Sequence, residues 1–200
     1  MYLVMKMKKV LIATTNKDKY KAVSRVFKST IFPSDEYEIQ KLTPDMNLPD
    51  EKEYGSNIER ARAKALNAFE HLKEYDFDYY VGLDDALVIK GRIEPNIKEY
   101  LNKILFESYL DDGEEYAFNR AYCLIDKDGK LYETTATIPY LYHPLKEDYK
   151  LEEFTYPLSK VAYPIGENRP IDEFNDEEAT NYYLKYVKKN ILSLNIKNTN

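Results

Sequence analysis

Near the start of the chain a short apolar run leads directly into a polar stretch. The stretch that begins at Lys9 has an apolar run over residues 10–13 that predicts a buried strand, and the run ends abruptly in hydroxyls, an amide and lysines. Beyond Lys19, apolar and aromatic residues recur at helical spacing, so Asn16 to Asp18 is the predicted turn between strand and helix. Residues 37–42 alternate as a second strand. The chain therefore opens with a β-α-β unit.

The rest of the chain continues this alternation of strands and helices. Ser56, followed three residues later by Glu59, spells a capping box and predicts the start of a long helix. The predicted elements are a loop over 43–53, this helix over 56–74, a central strand over 78–83 that stops at Asp84 and Asp85, a turn over 91–95, a helix over 97–105, a hairpin that pairs 117–125 with 130–138, loops with one or two short strands over 139–170, and a final helix over 172–190 capped by Asp176. This order predicts an α/β fold with a mixed sheet.

Length and composition predict one globular domain. A chain of 200 residues, 44% hydrophobic and 32% charged, suits one domain with two lobes. We expect this domain over residues 1–193, followed by a polar tail over 194–200. The net charge of −6 argues against a broad face for duplex nucleic acid. A single cysteine and the lack of any apolar run of about 18 residues predict a cytoplasmic protein without a membrane span.

The turn after the first strand carries candidate phosphate ligands. Backbone N–H groups at a helix N-terminus favour an anion, and Thr14, Asn16 and the Lys19 ammonium could converge on the same one. The alternative is an ordinary polar turn in which Asn or Asp caps the helix. Neither a Walker A loop nor a Rossmann fingerprint is present.

Asp84 and Asp85 bring carboxylates to the end of the predicted central strand. In open α/β sheets ligands bind beyond the carboxyl ends of strands, where both the turn and this Asp pair fall. Carboxylates beside phosphates normally need a divalent cation, and Mg²⁺ prefers that mixture of oxygens. Because consecutive strand residues point to opposite faces, we assign Asp85 to the metal or the attacking water, and Asp84 to a supporting role. The alternative is an Asp pair that starts a turn.

Two residues of the predicted long helix have competing explanations. Glu59 can reach a metal, or it can reach back to its own helix cap. Lys64 lies five residues further, about 140° round an ideal helix, so the two side chains share a site only if a long one bends over. A solvent-exposed lysine is the ordinary alternative for Lys64. The histidines and the cysteine lack the spacing of zinc ligands.

The order of these motifs resembles the inosine triphosphate pyrophosphatase family, which hydrolyses non-standard purine nucleoside triphosphates. Thr14-Thr-Asn-Lys-Asp-Lys19 matches the family's [ST]-x-N-x-x-K turn, and Glu59-Arg-Ala-Arg-Ala-Lys-Ala65 matches E-N-A-x-x-K-A except at Arg60. Leu83-Asp-Asp-Ala86 matches D-D-S-G in its two acids. The resemblance covers roughly residues 8 to 138.

This resemblance implies a two-lobed α/β fold with an elongated mixed sheet and a cleft between the lobes. It also implies a homodimer and Mg²⁺-dependent cleavage between the α and β phosphates of a nucleoside triphosphate. The implied triphosphate ligands are Thr14, Asn16, Lys19 and Lys64. The implied metal ligands are Glu59 and Asp85, with Asp84 nearby, and the catalytic residues would be Asp85, Glu59 and Lys64.

The family's base-reading motifs, G-F-G-[YW]-D-P and S-H-R, have no match in this chain. Tyr156, Tyr182 and Lys185 are candidate replacements, since a base pocket needs at least an aromatic face and a donor. The sequence therefore predicts a Mg²⁺-dependent nucleoside triphosphate pyrophosphatase of unknown base preference. Two alternatives stay open: a nucleotide-binding protein that has lost turnover, and a hydrolase of another phosphorylated metabolite on the same fold.

Overall fold

Seven strands and four α-helices form within residues 6–50, 55–146 and 157–196, which the computed structural model describes. The strands are β1 (Lys8–Ile12), β2 (Tyr37–Lys41), β3 (Tyr79–Ile89), β4 (Arg92–Glu94), β5 (Glu115–Asp126), β6 (Leu131–Tyr142) and β7 (Ala162–Pro164). The helices are α1 (Lys17–Lys28), α2 (Asn57–His71), α3 (Ile97–Phe106) and α4 (Asp176–Leu192). Within the described ranges, no helix combines the length and the apolar character that a membrane span requires.

The strands form one mixed sheet in the order β2-β1-β3-β5-β6-β7, with β4 paired to β3. Strand β1 runs parallel to both β2 and β3, whereas β4 is antiparallel to β3 and β7 is antiparallel to β6. Parallel and antiparallel pairs in one sheet confirm the predicted α/β fold with a mixed sheet.

The chain divides into two compact units. Unit 1 comprises residues 1–84, 121–135 and 188–200, and unit 2 comprises residues 85–120 and 136–187. Strands β3, β5 and β6 and helix α4 each contribute residues to both units.

Unit 1 holds the opening β-α-β unit and helix α2. Buried apolar side chains from β1, α2 and β3 form one core cluster, and small alanines of α2 pack on β5 in a second. The first cluster consists of Leu11, Ala68, Leu72, Phe77 and Tyr80. The second consists of Ala61, Ala65, Ala121, Cys123 and Ile125. Both clusters fix α2 against the strands that lead to the candidate site.

Unit 2 has a core rich in tyrosine. The rings of Tyr116 and Tyr182 each pack against Tyr140, and Tyr182 also packs against Tyr186. Tyr116, Tyr140 and Tyr182 are all buried. At least part of the tyrosine excess therefore serves packing, as expected for a large side chain with an apolar body.

Four local predictions need correction. Strand β3 does not stop at Asp84 and Asp85 but continues to Ile89, and the predicted turn over 91–95 contains β4. Helix α2 ends at His71, and residues 73–75 form a 3₁₀ turn. Helix α4 begins at Asp176, and its cap is Asn175.

The cap of α4 is a reciprocal capping box. The Asn175 side chain accepts a hydrogen bond from the Glu178 backbone N–H, while the Glu178 carboxylate accepts one from the Asn175 N–H. Beyond α4, Leu194 and Ile196 of the predicted polar tail are buried. The start of that segment therefore belongs to the packed part of unit 1.

Candidate functional site

The turn between β1 and α1 is built around the side chain of Asn16. Its Oδ1 accepts hydrogen bonds from the backbone N–H groups of Asp18 and Lys19, at 3.0 and 2.9 Å, and so caps α1. The Thr14 hydroxyl oxygen accepts a hydrogen bond from the Asn16 N–H at 3.2 Å. The capping alternative is therefore what the structure shows, and two N–H groups that an anion could use are bound by Asn16.

The start of α2 is a complete capping box. The Glu59 carboxylate accepts hydrogen bonds from the Ser56 backbone N–H at 2.7 Å and from the Ser56 hydroxyl at 2.8 Å. These bonds, that from the backbone first, lower the pKa of Glu59 below its ordinary value. Glu59 thus has the local role that its spacing from Ser56 predicts.

A close approach of backbone to backbone sets α2 against β3. A Cβ atom added to Gly82 would lie 1.9 Å from the Ala61 carbonyl oxygen and 2.6 Å from the Ala65 nitrogen. Only glycine leaves room for the helix at this distance. Gly82 therefore holds the middle of α2 next to the segment of β3 that carries Leu83 and Asp84.

Lys64 reaches that segment from α2. Its Nζ lies 2.6 Å from Asp84 Oδ1 and 3.3 Å from the Leu83 carbonyl oxygen. The two side chains are 21% and 12% exposed, so the alternative of a solvent-exposed lysine is wrong. The alternative of an Asp pair that starts a turn is also wrong, because β3 continues through both residues.

Asp84 of this ion pair lies on the strand next to β1, three residues beyond the register position at which β1 ends. Strands β1 and β3 are parallel, with Ile12 opposite Val81, and the Ala13 N–H donates to the Val81 carbonyl oxygen at 2.8 Å. The carboxyl end of β1 therefore leads into the turn a few residues from Asp84. Unit 1 thus gathers cationic and hydroxyl groups beyond the carboxyl end of β1, next to the middle of β3, and α/β proteins bind ligands beyond the carboxyl ends of parallel strands.

Asp85 belongs to unit 2 and pairs with Arg120 of β5. Arg120 donates from Nε to Asp85 Oδ1 at 2.7 Å and from Nη2 to Oδ2 at 3.2 Å, so both carboxylate oxygens accept from one guanidinium. The side chains are 5% and 12% exposed. Strand geometry turns Asp85 away from its neighbour Asp84, and the two carboxylates indeed take different cations.

Sequence reasoning missed Arg120, although a signal for it exists. Arginine is almost never buried without a partner, and Arg120 stands in a strand pattern dominated by apolar and aromatic residues. Tyr183 of α4 lies near this pair, and burial raises the pKa of its hydroxyl, with Arg120 opposing and Asp85 reinforcing the effect. Asp85 therefore sits in a polar network inside unit 2.

The carboxylates, in this arrangement, do not fit a Mg²⁺ site. Mg²⁺ requires near-octahedral oxygen ligands at about 2.0–2.1 Å, which usually include one or two carboxylates. Here Glu59 is bound in a helix cap, Asp84 is paired with Lys64, and Asp85 is paired with Arg120. Across the parts of the chain that the structure describes, no group of three His, Cys, Asp or Glu side chains could hold a metal ion.

The three candidate base-pocket residues have different surroundings. Tyr156 lies outside the described residues. The Tyr182 hydroxyl donates to the Pro139 carbonyl oxygen and accepts from the Ile165 N–H, so this side chain ties α4 to β6 within unit 2. Lys185 is exposed, with its Nζ 5.7 Å from the centre of the Tyr182 ring. A role in base recognition stays a prediction for all three.

Several solved structures share this fold. A nucleoside-triphosphatase / dITP/XTP pyrophosphatase from Mycobacterium abscessus has a TM-score of 0.55 at 19% identity, over 93% of this chain and 97% of that one. The Ham1 protein of Staphylococcus aureus has a TM-score of 0.51 at 16% identity, over 86% and 88% of the two chains. A HAM1 protein from Coxiella burnetii has a TM-score of 0.54 at 13% identity, over 94% and 95%.

No protein-family model and no curated protein matches the sequence. The likeness to solved structures, at identities of 13 to 19%, establishes the fold. The chain has the mixed-sheet α/β fold of the dITP/XTP pyrophosphatase and Ham1 structures, which confirms the fold that its motif order implied.

Proposed function

We propose that this protein is a nucleoside triphosphate pyrophosphatase, which cleaves a nucleoside triphosphate into a nucleoside monophosphate and pyrophosphate. The observation that carries the proposal is that β1 ends and leads into the lysine-bearing β1–α1 turn three residues from the register of Asp84, which pairs with the part-buried Lys64. The name of the M. abscessus neighbour, which shares the fold, supports the same class of reaction.

The proposed triphosphate ligands are Thr14, Asn16, Lys19 and Lys64. Lys64 is part-buried, so its ammonium interacts with an anion more strongly than an exposed lysine would. On binding, we expect a phosphate oxygen to compete with the Asp84 carboxylate for this ammonium. Lys19 adds a second positive charge from the first turn of α1, where the helix dipole also favours an anion.

The proposed reaction is attack of water on the α-phosphorus. The bond from that phosphorus to the α,β-bridging oxygen breaks, pyrophosphate leaves with the oxygen, and a carboxylate accepts the proton of the water. We assign the carboxylate role to Asp85, with Arg120 as the residue that fixes its orientation. Because the described carboxylates do not form a metal site, a Mg²⁺ ion in this proposal arrives on the triphosphate, and no step is assigned to it.

The base and sugar of the substrate are left open in this proposal. Homodimer formation and a cytoplasmic location stay predictions from the sequence, and light scattering coupled to size-exclusion chromatography tests the first. A role for Glu59 near the metal stays a hypothesis from the sequence, because its carboxylate accepts the hydrogen bonds that cap α2.

The test is pyrophosphate release from a panel of standard and non-standard nucleoside triphosphates, with Mg²⁺ present and with EDTA. For the best substrate, Lys19→Ala and Asp85→Asn should each lower kcat/KM by about a hundredfold or more, the scale expected for loss of a charged or proton-accepting group. Lys21→Ala is the matched control, because Lys21 is exposed and its side chain lies about 160° round α1 from that of Lys19. An Asp85→Asn variant that keeps full turnover would refute the assignment.

A second candidate function is nucleotide binding without turnover. The observation that favours it is that both strand carboxylates, Asp84 and Asp85, are paired with cations of the protein itself. In that case calorimetry would show saturable binding of a nucleoside triphosphate, weakened in Lys19→Ala, while no pyrophosphate is released from any member of the panel. Release of pyrophosphate that depends on Asp85 would reject this alternative.

A further inference from the structure

Asp85 forms an ion pair with Arg120 at a position where the order of the sequence motifs implies a metal ligand. Asp85 is the second acid of the pair that opens the third motif, where the resemblance implies a metal ligand. In the structure its two oxygens instead face the Nε and Nη2 groups of Arg120, at 2.7 and 3.2 Å, and both side chains are almost fully buried. A buried carboxylate needs a cation or several donors close by, since burial disfavours its charge.

A guanidinium and a divalent ion satisfy that need in mutually exclusive ways. A bidentate arginine lies in the plane of the carboxylate and donates to both oxygens, the positions a metal would use. Two cations at one buried carboxylate would also repel each other strongly in a medium of low dielectric constant. Arg120 is held on β5, in the interior of a twelve-residue strand, so its approach to Asp85 is fixed by the sheet.

We infer that Arg120 is the counter-cation of Asp85 in this protein and stands in the place of a divalent metal ion. The nucleotide-free chain therefore has no metal site at Asp85, even though the motif order predicts one. This inference does not rest on the proposed function, because it concerns the protein without nucleotide and is measured without turnover.

The chain offers a matched pair for comparison. Arg62 of α2 binds Glu133 of β6 in the same bidentate manner, with Nε to Oε1 at 2.6 Å and Nη2 to Oε2 at 2.8 Å. That pair is more exposed, at 42% and 23%, and lies within unit 1. Replacing Arg62 thus removes an arginine–carboxylate pair of the same geometry without changing the surroundings of Asp85.

The test is binding of Mn²⁺ to the full-length, nucleotide-free chain, measured by electron paramagnetic resonance of the free ion. Mn²⁺ is a suitable probe because it takes the same oxygen ligands as Mg²⁺. The wild type and Asp85→Asn should bind Mn²⁺ equally weakly, through surface acids alone. Arg120→Met should bind at least tenfold more tightly, the double variant Arg120→Met/Asp85→Asn should lose that gain, and Arg62→Met should match the wild type.

Two results would overturn the inference. One is a wild-type affinity for Mn²⁺ that falls tenfold or more in Asp85→Asn, because Asp85 would then be a metal ligand despite Arg120. The other is a folded Arg120→Met chain with no gain in affinity, because the arginine would then not be what excludes the ion. If Arg120→Met fails to fold, the comparison of wild type with Asp85→Asn decides alone, since equal weak binding supports the inference and a loss refutes it.

Discussion

Replacing Gly82 with alanine is expected to destabilise the protein more than the same replacement at Gly91, Gly113 or Gly166, where an added Cβ meets nothing within 4 Å. The added Cβ would lie 1.9 Å from the Ala61 carbonyl oxygen, whereas such contacts essentially never fall below 3.0 Å. Helix α2 must then move away from β3 by about 1.1 Å, since the obstacle is backbone and cannot rotate aside. Overpacking of this kind typically costs about 1–3 kcal/mol, and a backbone obstacle places Gly82→Ala at the upper end, about 3 kcal/mol.

The measurement is urea unfolding followed by circular dichroism, with a thermal melt beside it. For a chain of this length, about 3 kcal/mol corresponds to a Tm lower by about 6–12 °C. Gly113→Ala is the matched control, because nothing lies within 4 Å of its added Cβ and its φ of +81° leaves only backbone strain, about 1–2 kcal/mol. Ala61→Gly should not rescue Gly82→Ala, since the obstacle is a carbonyl oxygen. A Gly82→Ala variant within about 1 kcal/mol of the wild type would refute this account of the packing.

Three further predictions follow from individual contacts. Arg120→Met should lower the free energy of unfolding by about 3–5 kcal/mol, because it leaves a buried carboxylate unpaired, whereas the half-exposed Arg62→Met should cost at most about 1 kcal/mol; urea titrations of both check this. Burial, with Glu133 beside it, raises the pKa of the Cys123 thiol to about 12, so iodoacetamide at pH 8.5 should label it only after unfolding, and stability should fall between about pH 9 and pH 12, where only the unfolded thiol ionises. Ser56→Ala should cost about 1 kcal/mol through loss of the cap, seen as a lower urea midpoint with an unchanged m value.

The sequence could predict those helix caps whose hydrogen bonds join residues only two or three positions apart. Asn16 caps α1 and Ser56 with Glu59 forms a capping box because each needs only neighbours two or three residues away. The same rule applies at α4, but two adjacent residues could serve, and Asn175 rather than Asp176 has a glutamate three residues later that reaches back to it. Such elements follow from local hydrogen bonding alone.

The features that the sequence did not reveal depend on partners far along the chain. The apolar pattern predicts a central strand that stops at Asp84 and Asp85. It continues because Lys64, twenty residues earlier, and Arg120, thirty-five residues later, neutralise the two carboxylates. The residues next to the Asp pair do not indicate these distant partners. The ion pairs of the candidate site could therefore be identified only from the three-dimensional structure.

The composition of unit 1 from three separate stretches has a consequence for how the protein is made. The third stretch, residues 188–200, supplies buried Ile191, Leu194 and Ile196, and Asn190 donates to the Thr135 carbonyl oxygen at 2.8 Å. A ribosome makes these residues after the other two stretches of the unit, so the unit that contains the first strand cannot close until residues 188–196 have been made. We therefore expect unit 1 of a newly made chain to stay sensitive to proteases until these residues have left the ribosome. A stop codon after Val187 should remove part of the core of unit 1.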